Sequence, residues 1–158
     1  MFDREKAEKH LKQLLKKYNI KVRKYRVSAS GRAYPSISEV EIPKPTDVER
    51  FCVCMHEIKH VIDGFWGKLY QREYFCEMFA ITEAKKLGFD VTDYTERARR
   101  YVIVNVAKGY CRGLNLKNIE KDVVDFCKVD FSQWHCKNVF VRRNKTNKPM
   151  EIVFKDKK

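Results

Sequence analysis

Residues 46–63 read TDVERFCVCMHEIKHVID and combine a helix signal with a chemical one. Within them, residues 56–60 form an H-E-x-x-H pattern. Side chains four residues apart lie one above the other on a helix, so His56 and His60 can direct imidazole nitrogens at one metal ion. Glu57 lies about 100° around the same helix, where its carboxylate can reach a water beside that ion. The spacing therefore predicts two metal ligands and a general base.

The same pattern also arises by chance on polar helix faces. Against this alternative, the chain contains only four histidines, at positions 10, 56, 60 and 135. Two of these four flank a glutamate at the spacing that a metal requires. We therefore favour the metal interpretation.

The flanking sequence predicts that the pattern lies on a helix. Pro43 and Pro45 exclude regular structure before it, and Thr46 with Glu49 has the form of a capping box. The helix is thus predicted to begin near Asp47 and to stop at Asp63-Gly64. Apolar residues recur at spacings of three and four, at Val48, Phe51, Met55, Ile58 and Ile62. This stripe is predicted to be buried, with the histidines on an adjoining face.

A catalytic zinc ion has three protein ligands and one open position, so one ligand must come from elsewhere. Residues 68–87 are predicted to form a second helix, on which Glu73 and Glu77 lie one turn apart. We select Glu73 as the third ligand and Glu77 as the acceptor that fixes the tautomer of a ligating histidine. Two alternatives stay open: this spacing also occurs on solvated helix faces, and Asp63 is a weaker rival ligand.

Together these motifs resemble those of the zincin metallopeptidases, in the branch that uses a glutamate as third ligand. Residues 73–80, EYFCEMFA, are similar to the E-x-x-A-x-x-F-A pattern of ImmA/IrrE-like metallopeptidases of bacteria, mobile elements and phages, with Cys76 at the usual alanine. The resemblance covers residues 34–87. It places the zinc ligands at His56, His60 and Glu73 and the general base at Glu57. It implies a zinc-dependent endopeptidase that hydrolyses an intracellular protein, such as a regulator bound to DNA, through a zinc-bound water activated by Glu57.

Two further parts of such a site are expected. Zincins commonly pair an extended substrate with an edge strand, and residues 36–42 are our candidate, although an interior strand fits the sequence equally well. A hydrogen-bond donor is also needed for the oxyanion. The candidates are His135, with a slight preference, and Tyr70, Tyr74 and Tyr110.

Periodicity along the rest of the chain predicts an α+β class, mostly helical. Further helices are expected over about residues 7–18, 95–111 and 118–127, and strands over 21–27 and 36–42. Residues 139–142 and 151–154 flank a polar turn and predict a short C-terminal β-hairpin. At 158 residues and 44% hydrophobic content, residues 1–158 are expected to form a single zincin-like minimal metalloprotease domain, with a small β-sheet next to the metal helix.

The formal net charge of +13 lies entirely at the two ends of the chain. Residues 1–27 carry ten Lys and Arg against three Asp and Glu, and residues 137–158 carry eight against two. These basic termini predict a possible nucleic-acid or acidic partner, with a solubilising shell of lysines as the alternative. The second functional hypothesis is therefore a non-enzymatic basic protein that binds nucleic acid or protein on a zincin scaffold.

Composition also limits the compartment and the cysteine chemistry. No apolar run is long enough to span a bilayer and no secretory segment is visible, so we expect a cytoplasmic protein without a membrane partner. The six cysteines are then expected to be free thiols, and Cys52 to fill a buried apolar position. A second zinc site at Cys127, His135 and Cys136 is disfavoured, because the paired C-x-x-C spacing is missing.

Overall fold

The computed structural model describes residues 1–134 and the backbone of two strands beyond them, Val139–Arg142 and Glu151–Phe154. The helices of the described residues are α1 (Arg4–Lys17), α2 (Val48–Asp63), α3 (Leu69–Lys86), α4 (Thr92–Cys111) and α5 (Lys121–Cys127). The strands are β1 (Lys21–Arg26), β2 (Arg32–Tyr34), β3 (Glu39–Pro43), β4 (Val139–Arg142) and β5 (Glu151–Phe154). The predicted mostly helical α+β class is confirmed, and so is the terminal hairpin, because β4 pairs antiparallel with β5.

A mixed sheet of three strands lies beside α2, in the order β1-β3-β2. The central strand, β3, runs parallel to β1 and antiparallel to β2. Val40 and Ile42 of β3 are fully buried in the same core as α2, whereas β1 is largely exposed. One face of the sheet is therefore covered by α2, as the sequence predicted.

Of the two alternatives for residues 36–42, an edge strand and an interior strand, the structure shows the interior strand. Pro35–Ile37 forms a 3₁₀ turn, since proline fits the first position of a helical turn, and Ser38 follows in a left-handed conformation with φ of 54°. The strand begins only at Glu39, and it has a partner on each side. Within this sheet, the outer strands are β1 and β2.

Helix α2 lies at the centre of the larger core. Phe51, Met55 and Ile58 are completely buried, which confirms three of the five positions of the predicted apolar stripe, whereas Val48 and Ile62 are half-buried. Fully burying a side chain of the size of Phe or Ile is worth about 1.5–3 kcal/mol, so packing against β3 and α3 fixes the rotation of this helix more firmly than local propensity does. No helix in the described part of the chain is both long and apolar enough to cross a bilayer.

The start of α2 differs from the predicted capping box. Asp47, and not Thr46, is the N-cap, and its carboxylate accepts a hydrogen bond from the backbone N–H of Arg50 at 2.8 Å. Glu49 is paired with Arg97 of α4 instead of reaching back to the cap. The helix nevertheless begins within a residue of the predicted position and ends before Gly64, whose φ is 65°.

Helices α1, α4 and α5 begin at other positions than predicted. Helix α1 begins at Arg4, three residues before the expected start at about residue 7. Helix α4 begins at Thr92, three residues before the expected start at 95. The predicted helix over 118–127 is divided into a 3₁₀ turn at Leu116–Asn118 and α5. These differences lie at helix ends, where local sequence patterns predict the boundary residue least accurately.

The cysteines of the described residues are free thiols, as predicted, and all but Cys111 are buried. Cys52 is completely buried and its Sγ lies 3.9 Å from the carbonyl oxygen of Ala80, which confirms its apolar role. The disfavoured second zinc site includes His135 and Cys136, which lie outside the described residues.

Candidate metal centre

Helices α2 and α3 bring three donor atoms into a small triangle. The Nε2 atoms of His56 and His60 lie 3.0 Å apart. Oε2 of Glu73 lies 3.1 Å from Nε2 of His56 and 3.5 Å from Nε2 of His60. The i, i+4 spacing on α2 sets the first distance, and the packing of α3 against α2 sets the other two. The structure thus brings together the three side chains that the sequence singled out as ligands.

Glu77 lies one helical turn after Glu73 and contacts the far side of the first imidazole. Its Oε1 is 3.3 Å from Nδ1 of His56, and its Oε2 accepts a hydrogen bond of 2.6 Å from the hydroxyl of Tyr94. The carboxylate therefore favours a proton on Nδ1 of His56. In the neutral ring, Nε2 is then left with a free lone pair directed into the triangle.

The triangle consequently lacks a positive charge. Oε2 of Glu73 is buried and receives no hydrogen bond of good geometry, and its closest neighbours are the two histidine nitrogens. A buried carboxylate oxygen without a donor is costly unless a cation satisfies it. The donor set therefore fits a metal ion.

The pKa values of His56 and Glu73 also indicate that the site requires a positive charge. Burial alone would lower the pKa of His56, but the contacts of its ring with the carboxylates of Glu73 and Glu77 raise it to about 10. Burial alone would raise the pKa of Glu73, but its contacts with His56 and His60 lower it to about 2. Without a metal, a proton on His56 supplies the missing positive charge.

Cys76 adds a sulfur to the same region. The ligand atoms of His56, His60 and Cys76 all lie within 4.8 Å of one another, so this cluster can hold a metal ion. Cys76 is not among the ligands predicted from the sequence, although its position three residues after Glu73 places it on the same side of α3. Burial raises the pKa of its thiol far above the usual value, so the neutral thiol is favoured without a metal.

Glu57 lies beside the donor triangle, under the loop that precedes β2. A β-carbon on Gly31 would lie 2.3 Å from Cγ of Glu57, so a side chain at that position would displace the carboxylate. Burial raises the pKa of Glu57, whereas the imidazoles of His56 and His60 lower it. A raised pKa brings a carboxylate closer to the value that suits a general base at neutral pH.

A cleft of about 600 Å³ opens next to these residues. His56, Glu57 and Glu77 line it, together with residues from the 29–31 loop, α2 and α4. Tyr101 of α4 lines the same cleft, with its ring 6.2 Å from the ring of His56. Burial raises the pKa of its hydroxyl, so the phenol keeps its proton and can act as a donor.

The tyrosines considered as oxyanion donors do not line this cleft. The hydroxyl of Tyr70 donates to Glu120, that of Tyr110 donates to the carbonyl of Trp134, and the ring of Tyr74 packs on Phe126. The rival ligand Asp63 accepts a hydrogen bond from Lys59 at 2.8 Å. His135 lies outside the described residues.

Sequence reasoning missed Tyr101, Gly31 and Tyr94 as parts of the site. Tyr101 and Tyr94 come from α4 and Gly31 comes from a loop, so only the tertiary fold brings them to α2. The sequence carries one weak signal, because Tyr101 lies three residues after Ala98 and four before Asn105, the spacing of one helix face. A comparison with known proteins adds no further guide: no family model, curated protein or solved structure matches this chain.

Proposed function

We propose that the protein is a zinc-dependent endopeptidase, and the donor triangle of His56, His60 and Glu73 is the observation that carries this proposal. A tetrahedral zinc ion with bonds of about 2.0–2.1 Å separates its nitrogen and oxygen ligands by about 3.3 Å. The three separations here, 3.0, 3.1 and 3.5 Å, lie around that value. Two histidines and one carboxylate are also a ligand set of catalytic zinc sites that keep one position open.

Glu73 is a better third ligand than Cys76 in this arrangement. Its carboxylate is ionised, because contacts with the histidines lower its pKa to about 2, and its Oε2 has no other donor. The buried Cys76 would first have to lose a proton that its surroundings retain. We therefore assign His56, His60 and Glu73 as ligands, and Cys76 as a neighbour behind them.

The remaining residues of the cleft have separate tasks in peptide hydrolysis. A bound zinc ion lowers the pKa of water and polarises a carbonyl group. Glu57 accepts the proton of the attacking water and returns it to the amine nitrogen that leaves. Tyr101 donates a hydrogen bond to the oxyanion of the tetrahedral intermediate. Glu77, held by Tyr94, keeps the proton of His56 on Nδ1.

An extended substrate would enter along β2. Of the two outer strands of the mixed sheet, β2 is the one that begins directly after Gly31, which contacts Glu57. An extended peptide can pair with an outer strand through main-chain hydrogen bonds. We therefore assign to Arg32–Tyr34 the pairing with substrate that was first expected of residues 36–42. The substrate class is an intracellular protein, in keeping with the motif resemblance.

Metal content and cleavage test the proposal together. Zinc bound to the purified protein is measured by mass spectrometry in wild type and in His60→Ala, and cleavage is followed as new N-termini in a complex peptide mixture. We expect zinc in the wild type alone, and new termini that disappear in Glu57→Gln although this variant retains zinc. Equal zinc in both proteins would refute the metal site, and undiminished cleavage by Glu57→Gln would refute the general base.

The exposed cations of β1 support a second candidate, a non-enzymatic role in nucleic-acid binding. Lys21, Arg23 and Lys24 are exposed on this outer strand, and the guanidinium of Arg23 lies 5.1 Å from the ring centre of Tyr34. Retention on DNA that falls steeply with salt and is lost in the triple Glu variant of these cations would support it. Absence of retention at low salt would exclude it, and Glu57→Gln serves as a control with unchanged charge on this surface.

A further inference from the structure

The cleft beside the donor triangle is asymmetric in charge. Its carboxylates are those of Glu57 and Glu77, which line it together with His56. The lining from residues 29–31 consists of Ala, Ser and Gly and carries no charge. Helix α4 contributes the guanidinium groups of Arg97 and Arg100. The positive charge of the cleft lining therefore comes from α4 alone.

Three arginines lie close together on this part of α4, and two of them are engaged within the protein. Arg97 is paired with Glu49 and lies over the ring of Tyr94. Arg99 is paired with Glu96 and donates to the carbonyl of Phe126 at 2.7 Å.

The third arginine, Arg100, is exposed at the cleft. Within residues 1–134 it has neither an ion pair nor a hydrogen bond to a carboxylate. Glu96, one turn before it, is already held by Arg99. Among the described residues 1–134, Arg100 is thus a guanidinium without a fixed partner, on the cleft that Tyr101 and His56 also line.

We propose that Arg100 binds a carboxylate of the substrate, so that the site prefers acidic peptides. This inference rests on the proposed peptidase function. A guanidinium presents a planar set of donors that matches a carboxylate in a bidentate pair, and it repels lysine and arginine side chains. The carboxylate comes from an Asp or Glu side chain near the scissile bond or from a free C-terminus, and both sources offer the same group.

The strength of this preference follows from the exposure of Arg100. A solvent-exposed pair is weakened by water and by salt, and is typically worth no more than a factor of about five in binding. The preference should therefore be strongest at low ionic strength and decline as salt is added. Replacing Arg100 by glutamate should reverse it, because the same position would then attract lysine.

The test uses short peptides that carry a hydroxamate at one end, a group that chelates zinc directly. Four peptides differ only beyond the hydroxamate: Glu, Gln or Lys with an amidated C-terminus, and Gln with a free C-terminal carboxylate. Binding to the full-length zinc-loaded protein is measured for wild type, Arg100→Glu and Arg112→Glu. Arg112 is exposed, lies outside the cleft lining and gives the same change in net charge.

In wild type and Arg112→Glu, we expect at least one carboxylate peptide to bind about fivefold more tightly than the amidated Gln peptide. Which of the two does so identifies the source of the carboxylate. In Arg100→Glu the preference should disappear or pass to the Lys peptide. Equal binding of all four peptides by wild type, or an unchanged preference in Arg100→Glu, would overturn the role of Arg100 alone. Failure of every hydroxamate to bind the zinc-loaded protein would overturn the open metal position, and with it the proposed peptidase.

Discussion

Gly31 and Glu57 are in such close contact that the loop before β2 has no room for a side chain: an added β-carbon would lie 2.3 Å from Cγ of Glu57. Cγ of Glu57 is close to the backbone of α2, so it cannot move aside as the end of a long, flexible side chain could. The φ of Gly31 is not in the left-handed region, since the glycines with positive φ are Gly64, Gly67, Gly88 and Gly113. Alanine at this position would therefore act by steric contact with Glu57 and not by backbone strain.

Gly31→Ala is expected to reduce the rate of cleavage by about 100-fold, because a misplaced general base loses most of its contribution. Zinc content should stay at the wild-type level, because the atoms nearest to the added β-carbon belong to Glu57 and not to a proposed zinc ligand. Gly109→Ala, whose β-carbon would approach the side chain of Leu114 at 3.0 Å, is a matched control outside the cleft lining. Full activity of Gly31→Ala would show that Glu57 does not need its present position.

Glu77→Gln is expected to weaken zinc binding by about 10- to 100-fold, the usual effect of removing the carboxylate behind a ligating histidine. The amide keeps the shape of the side chain but lowers the basicity that Glu77 confers on His56. Zinc affinity is measured by competition with a chelator of known affinity. Glu83→Gln is the matched control, because Glu83 is a buried carboxylate of the same helix that pairs with His10 and Lys86. Equal affinities in the two variants would contradict the role of Glu77.

The stability of the metal-free protein should depend on pH in a way that zinc removes. The pKa of His56 rises on folding from its usual 6.5 to about 10, so its contribution is complete below pH 6.5 and is lost as the pH approaches 10. The pKa of Glu73 falls from 4.5 to about 2, so its contribution is present above pH 4.5 and is lost towards pH 2.

The pair therefore stabilises the metal-free fold most between about pH 4.5 and 6.5. We expect Tm of chelator-treated protein to decline from pH 6.5 to 10, and Tm of zinc-loaded protein to decline much less, because the metal replaces the proton on His56. Thermal unfolding of both forms across this range measures the difference. Parallel curves would contradict a protonated His56 in the metal-free site.

Tyr101→Phe is expected to lower kcat by about 100-fold with little change in KM, because its hydroxyl acts on the oxyanion and not on the bound substrate. Zinc content should be unaffected. Tyr70→Phe is the control, because Tyr70 donates to Glu120 away from the cleft lining. A loss of the same size in both variants would indicate a structural effect and not a catalytic one.

The parts of the site that are local in sequence were predictable. His56 and His60, and likewise Glu73 and Glu77, are related by one helical turn, and the signals for both helices lie within a few residues of them. Such geometry depends on backbone periodicity, which a sequence displays directly.

The parts that depend on long-range packing were not predictable. The central position of β3 results from pairing with strands on both sides, and alternation of apolar residues does not specify the order of strands. The approach of Tyr101 to His56 depends on how α4 packs against the rest. The N-cap was uncertain for a local reason: Thr46 and Asp47 are both good capping residues, and only the position of the Arg50 N–H decides between them.

Helices α2 and α3 are separated only by residues 64–68, and they carry all the proposed zinc ligands. The chelating side chains thus belong to one helical hairpin, whose contacts are short in sequence and can form early in folding. On a ribosome, this hairpin would emerge well before the C-terminal strands are synthesised. Metal capture would then be an early event that guides the later assembly of the chain, and zinc supply during translation would influence the yield of folded protein.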